Sequence, residues 1–239
     1  MNFENLNVVV TGGTGALGSA VVERLLAAGA TCHIPNHHAA ELERFPLADH
    51  DQVHIETNVN LTDEASVAAF YDSVPSLWAS INIAGGFAMA PLAETSQADA
   101  MGMLTMNTLT CFLSCREAVK AMRARPATSG GMTGGRIVNV AARPGVEPRT
   151  GGGMAAYAAS KAAVAALTEA LAEELAPEGI WVNAIAPSII DTPANRGAMP
   201  KADHDKWPKP AEIAETIAFL SAPENRTTRG AIVSVYGRS

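Results

Sequence analysis

Tyr157 and Lys161, in Tyr157-Ala158-Ala159-Ser160-Lys161, stand four residues apart. On a helix that spacing puts both on one face, about 40° from eclipsing. A Lys ammonium fixed beside a phenol stabilises the phenolate and draws the Tyr pKa below its free value near 10. Such a phenol can give and take a proton near neutral pH. An aromatic ring packed beside a snorkelling Lys would show the same spacing, so the pair gains meaning from its company. That company is Thr11-Gly12-Gly13-Thr14-Gly15-Ala16-Leu17-Gly18, a glycine-rich turn near the N-terminus.

Chemistry at these residues requires elements that position them, and the hydrophobic pattern supplies them. Residues 7–10, Asn-Val-Val-Val, read as a buried strand running into the glycines. Residues 16–28 have helical periodicity, with Val21, Val22, Leu25 and Leu26 inward, Glu23 and Arg24 outward, and Gly29 as the stop. Residues 31–34 form a second strand, which Pro35 is expected to end. The rhythm repeats with strands over 53–57, 77–83, 136–140, 180–185 and 231–235. Helices are predicted from Thr62-Asp63-Glu64 to Tyr71, over 97–123, over the Ala-rich stretch 154–176 and over 212–220, with a Gly-rich loop at 129–135. Seven strands alternating with helices predict an α/β fold, a doubly wound parallel sheet covered on both faces. No linker or repeat divides the chain, so residues 1–239 read as a single domain. Residues 191–210, with Pro193, Pro200, Pro208 and Pro210, lack periodicity and read as a lid over the site.

A glycine-rich turn between first strand and first helix aims backbone N–H groups at a pyrophosphate, and the missing Cβ atoms let the phosphates approach. Strand, turn and helix in that order are the context such a motif needs.

Composition narrows the partners. The formal charge is 17 − 24 = −7 with no basic cluster, which argues against nucleic acid. Hydrophobic residues make up 48% and aromatics only 5%, which favours closely packed helices over an aromatic binding surface. No membrane span is expected, because Lys161, Glu169, Glu173 and Glu174 interrupt the Ala-rich stretch. Met1-Asn2-Phe3-Glu4-Asn5 carries no secretory signal, and Cys32, Cys111 and Cys115 form no metal-ligand spacing. A cytoplasmic protein without a metal is expected.

Together these landmarks resemble the short-chain dehydrogenase/reductase family. Thr11-Gly12-x-x-x-Ala16-x-Gly18 is similar to its nucleotide fingerprint, and Asn82-Ile83-Ala84-Gly85 to its Asn-Asn-Ala-Gly strand end, with Ile83 departing. Asn107, Tyr157 with Lys161, Asn183-Ala184-Ile185-Ala186-Pro187 and Asp191-Thr192-Pro193 follow in family order, so the resemblance spans nearly the whole chain. It implies a Rossmann-type sheet, a bound NAD(H) or NADP(H), and hydride exchange with a small-molecule carbonyl or alcohol. Tyr157 would pass the proton, Lys161 would lower its pKa and bond the nicotinamide ribose, and Asn107 would hold a water leading protons away. Gly12, Thr14, Gly15, Leu17 and Gly18 would lie along the pyrophosphate, and Asn60 and Leu61 by the adenine. Asn82, Ala84 and Gly85 would line the adenosine ribose and diphosphate, and Pro187, Ile190 and Thr192 the nicotinamide. A homodimer or homotetramer is also implied, packed through the 97–123 and Tyr157 helices.

Two departures shape the expectations. The position that usually carries an acidic residue against the ribose 2′-hydroxyl is Asn36, followed by His37 and His38; losing that carboxylate favours NADP(H) over NAD(H). Ala142 stands where the family places a Ser whose hydroxyl polarises the substrate carbonyl. Losing such a donor costs about 10²–10³ in rate. Thr150 or another loop group could replace it, the substrate could do without it, or the chain could be a catalytically weak dinucleotide-binding protein. The second option has a local resemblance behind it: Ala84-Gly85-Gly86-Phe87 and residues 191–203 with Trp207 are similar to dihydropteridine reductases, which reduce a pterin ring. Met199, His204 and Trp207 are expected to shape the substrate pocket.

Overall fold

A computed structural model describes residues 1–125 and 134–239. Its seven strands are β1 (Asn7–Thr11), β2 (Thr31–Asn36), β3 (Val53–Thr57), β4 (Leu77–Asn82), β5 (Gly135–Val140), β6 (Ile180–Pro187) and β7 (Ile232–Val235). They form one sheet in the order β3-β2-β1-β4-β5-β6-β7 with every pair parallel. The helices are α1 (Ala16–Leu26), α2 (Ala39–Leu42), α3 (Glu64–Ser73), α4 (Gln97–Met103), α5 (Thr110–Arg123), α6 (Arg143–Val146), α7 (Ala155–Leu175), α8 (Pro193–Ala198) and α9 (Pro210–Ser221). This is the doubly wound Rossmann-type architecture that the alternation predicts.

Side chains alternating along the strands feed two cores. On one face Val8, Val10, Ile34, Ile81, Val138 and Ile185 pack under α1 and α9. On the other, Val9, Leu77, Ile137 and Val182 pack under α3, α5 and α7. Because β2 lies to one side of β1 and β4 to the other, the chain's direction of winding reverses between them. The crevice beyond the strand ends at such a reversal is where doubly wound folds bind ligands. The Gly12 turn and the Ala84-Gly85 segment both emerge there.

Two sequence expectations are corrected. β2 runs through Pro35 to Asn36, because its pairing with β1 stops at His33 and Pro35 faces only Glu56 of β3. A proline that owes no ladder hydrogen bond does not end a strand. The 97–123 helix is interrupted by a π-helical segment, Leu104–Leu109, that contains Asn107; such bulges re-aim side chains at functional sites. The Gly-rich loop expected at 129–135 falls largely outside the described residues, and Gly135 already belongs to β5. Residues 191–210, aperiodic in sequence, contain α8 and a single 3₁₀ turn, His204–Lys206.

Candidate active site

The end of β4 is tied to the end of β1: the Ala84 amide donates to Thr11 Oγ1 at 3.2 Å and the Ile83 amide to the Thr11 carbonyl at 3.2 Å. This brings the two glycine-bearing segments together. At Gly18 a Cβ would sit 2.0 Å from the Gly12 carbonyl oxygen, so no larger residue fits while Gly12 keeps its left-handed φ of 69°. Gly15, at the start of α1, has no side-chain cap, which leaves the first amides of that helix facing the crevice. Leu17 points its side chain into the core, so only its backbone is available to a ligand. A cradle that a Cβ would fill, open amides at a helix start and an orphaned acceptor nearby (the buried Oδ1 of Asn36) together fit a dinucleotide.

The candidate reacting groups, Tyr157 and Lys161, stand on α7. Asn107, 1% exposed on its π-helical segment, ties α7 to the strand end. Its Oδ1 accepts from the Gly86 amide at 2.9 Å, and its Nδ2 donates to the Gly86 carbonyl at 3.1 Å and to Ser160 Oγ at 3.0 Å. Ser160 in turn donates to the Tyr157 carbonyl at 2.7 Å. Gly85 closes the other side: a Cβ there would lie 2.5 Å from Asn107 Oδ1 and 3.4 Å from Lys161 Nζ. Lys161 is buried, and its ammonium donates to the Val140 carbonyl at 2.8 Å. Tyr157 is half-buried, and Phe87 meets its ring edge-on with centroids 4.9 Å apart.

The electrostatics correct one expectation. Burial pushes the Tyr157 phenol up to about 12, and burial pulls Lys161 down to about 8. The expected lowering of the Tyr pKa by Lys161 is therefore absent from this state: desolvation disfavours the phenolate, and the ammonium is spent on Val140. Tyr157 is held as the neutral phenol in this state.

Other expected residues divide by what their polar atoms already do. Asn82 is enclosed in a buried network, donating to Asn139 Oδ1 at 2.9 Å and accepting from Ser80 at 3.0 Å, so its side chain supports the strand ends rather than a ligand. Asn60 Oδ1 accepts from the Thr62 amide at 3.0 Å and hydroxyl at 2.8 Å, closing the turn before α3, and Leu61 beside it is half-buried. Pro187 ends β6, the Ile190 carbonyl accepts from Asn195 at 2.8 Å, and the Thr192 hydroxyl caps α8. Ala142 is buried and extended just before α6, with no polar side-chain atom to offer. Thr150 is no substitute, because its exposed hydroxyl donates to the Glu147 carbonyl at 2.8 Å. Trp207 is buried against His204, ring centroids 4.6 Å apart, so it packs within the 191–210 segment instead of presenting a face to substrate; Met199 is half-buried, its carbonyl 2.8 Å from His204 Nε2. His37 is exposed and stacks edge-on with His38.

Two residues at the candidate site were missed in the sequence. Ser160 lies three residues from Tyr157 on one helical face, a signal that periodicity could have given. Glu41 could not be found that way: it follows β2 on the short α2, and its carboxylate accepts from the Thr14 hydroxyl at 2.7 Å. Among the described residues no cluster of His, Cys, Asp or Glu could hold a metal, and no helix is long and apolar enough to cross a membrane.

Known proteins agree with this geometry. A sequence profile described as short chain dehydrogenase matches residues 6–203. A (5R,7aS)-5-hydroxy-7a-methyl-1-oxo-2,3,5,6,7,7a-hexahydro-1H-indene-carboxyl-CoA reductase of Mycobacterium tuberculosis is 32% identical over 95% of this chain and 90% of its own length. Galactitol 2-dehydrogenase of Rhizobium johnstonii is 32% identical over 95% and 92%. The solved structure of ElxO with NADP bound superposes with a TM-score of 0.85 at 25% identity, covering 97% of each chain. The chain belongs to the short-chain dehydrogenase family. It is an NAD(P)-dependent oxidoreductase that exchanges hydride between the dinucleotide and an alcohol or carbonyl of a small molecule.

Burying the Lys161 ammonium has a cost that its removal should relieve. With the folded pKa near 8 and the free value near 10.5, the folded state binds fewer protons than the unfolded one between those pH values. Stability from this group therefore rises with pH through that window and is lowest below pH 8. Lys161→Met should raise stability by roughly 1–3 kcal/mol at pH 7, since a tenfold change in proton affinity is worth about 1.4 kcal/mol and the Val140 carbonyl loses its donor. The gain should fade towards pH 10.5. Urea denaturation at pH 7 and pH 10 checks this; a variant less stable than wild type at pH 7 contradicts it.

Proposed function

We propose that Tyr157 is the proton donor and acceptor of this oxidoreductase, with Lys161 and Asn107 positioning it and the dinucleotide. The observation that carries the reading is the Asn107 clamp on Gly86 and Ser160, which fixes α7 against the strand ends that would hold the cofactor. Bound NAD(P)(H) supplies the hydride donor or acceptor. Gly12, Thr14, Gly15, Leu17 and Gly18 would hold its diphosphate, Ala84 and Gly85 its ribose side, and Pro187, Ile190 and Thr192 its nicotinamide. In carbonyl reduction the Tyr157 hydroxyl gives its proton to the developing alkoxide; in alcohol oxidation the phenolate takes it back. With the phenol pushed up to about 12, the free protein carries the proton that the first direction consumes. The lid, 191–210, excludes water over this site, held by the Asp191 amide on the Pro208 carbonyl at 2.9 Å and by the Arg196–Asp191 ion pair.

The buried Ala142 and the occupied Thr150 hydroxyl leave Tyr157 to polarise the substrate oxygen without a second side-chain donor from either position. That favours, as a second reading, a substrate such as a quinonoid dihydropterin, whose ring needs no such polarisation. Neither the indene-carboxyl-CoA reductase nor the galactitol dehydrogenase is a pterin reductase, and carbonyl reduction stays the leading reading. One assay panel tests both. Tyr157→Phe should lower kcat by at least 10³ while dinucleotide affinity changes less than threefold; undiminished turnover excludes the role. Ala142→Ser should raise kcat/KM for simple ketones at least tenfold; a wild type fast on quinonoid dihydropterin and a serine variant with no gain on ketones would favour the pterin.

On the dinucleotide itself, the neutral Asn36 that favours NADP(H) is outweighed by the carboxylate of Glu41 beside it. We also propose a homodimer. Met101, Leu104, Leu109 and Phe112 of the π-interrupted helix form an exposed apolar groove with Ala163 and Leu167 of α7, the two elements that the family uses for assembly. Phe112→Glu should shift the sedimentation coefficient to that of a monomer, and a wild type that is monomeric at micromolar concentration contradicts the pairing. The free thiols of Cys32, Cys111 and Cys115 suit a reducing compartment such as the cytoplasm.

A further inference from the structure

We propose that Glu41 selects the dinucleotide: its carboxylate accepts from an adenosine ribose hydroxyl and repels a 2′-phosphate, so that the chain prefers NAD(H). The assignment rests on the dinucleotide reading of the Gly12–Gly18 turn. In doubly wound folds the ribose hydroxyls meet the residue at the end of the second strand, about twenty positions past the glycines. That residue is Asn36, 2% exposed. Its Nδ2 points at Glu41 Oε2 from 3.4 Å, and its buried Oδ1 meets no donor among the described residues. A buried acceptor without a donor is costly, and it marks where a ligand's hydroxyl belongs.

Glu41 completes the pair from the other side. The Thr14 hydroxyl, on the glycine turn itself, donates to Glu41 Oε2 at 2.7 Å, so the carboxylate is held over the same end of the crevice as Asn36. Two acceptors side by side, one neutral and buried and one charged, match the two hydroxyls of a ribose diol. A 2′-phosphate offers acceptors where donors are needed, and places its negative charge against a carboxylate. Nothing in the sequence around the site neutralises that charge: between Arg24, paired to Glu215, and Arg44 there is no Lys or Arg, and Glu43 adds a further negative side chain. His37 and His38 are the remaining candidates for a phosphate contact; both are exposed on the far side of Asn36 in sequence. The acidic selector expected at the end of β2 has moved five residues on, into α2.

Isothermal titration with NADH and with NADPH, without substrate, tests this apart from turnover. Wild type should bind NADH at least tenfold tighter than NADPH. Glu41→Gln should bring the two dissociation constants within threefold by tightening NADPH, and Glu41→Arg should invert the order. Equal or tighter NADPH binding by wild type, or a ratio that Glu41→Gln leaves unchanged, overturns the assignment. Loss of NADPH affinity in a His37→Ala variant with a phosphate-preferring wild type would do so too, and would name His37 instead. Binding of neither dinucleotide would overturn the nucleotide site itself, and this selector with it.

Discussion

An ammonium group does not enter a protein interior without partners, and the site is organised around the one that Lys161 brings. Desolvation acts on it strongly enough to pull its pKa down to about 8. The Val140 carbonyl is its hydrogen-bond partner, and that carbonyl is available only because β5 ends there. The space beside the ammonium exists only because Gly85 has no side chain, and α6 reaches the helix at this level only because Gly145 has none: a Cβ on Gly145 would come within 2.7 Å of the Lys161 carbonyl carbon. Asn107 then locks the assembly by spending its amide on Gly86 and Ser160. Strand end, π-helical segment and α7 thus meet at one buried charge.

The same burial decides the state of the phenol. A Tyr placed in water beside a Lys would ionise more readily than usual, but Tyr157 is edge-on to Phe87 and partly dry, and the ammonium faces a backbone carbonyl. Desolvation wins, and the phenol stays protonated well above neutral pH. The proton that an alkoxide would take is therefore in place, on a phenol that burial makes a weaker acid. For alcohol oxidation the phenolate needs help, which positive charge on an oxidised nicotinamide would give.

The fold was legible because its determinants are local and periodic. Apolar runs such as Asn7-Val8-Val9-Val10 and amphipathic stretches such as that holding Val21, Val22 and Leu25 state their partners through spacing alone, and the glycine turn between them states its ligand. Order along the chain was enough to align Asn107, Tyr157 and Lys161. What the sequence did not show depends on which atoms meet across it. Pro35 sits inside β2 because the ladder to β1 has already ended at His33. Thr150 had the right chemistry for a missing donor, yet its hydroxyl is taken by Glu147. Asn82 and Asn60 are both plausible ligand contacts by position, yet Asn82 is enclosed by Asn139 and Ser80, and the Asn60 Oδ1 is taken by Thr62. Glu41 reaches Thr14 across 27 residues, a distance that no periodicity carries.

Burial, and not the neighbouring ammonium, sets the acidity of Tyr157 in the free protein. The difference in phenolate absorbance between wild type and Tyr157→Phe, followed from about pH 6 to beyond pH 12, measures that acidity directly. No tyrosinate assignable to Tyr157 should form below about pH 11 without dinucleotide, and saturating oxidised dinucleotide should move the transition downward by more than about two pH units. A Tyr157 transition below about pH 10 in the free protein, or one that the oxidised dinucleotide leaves in place, would contradict that control by burial.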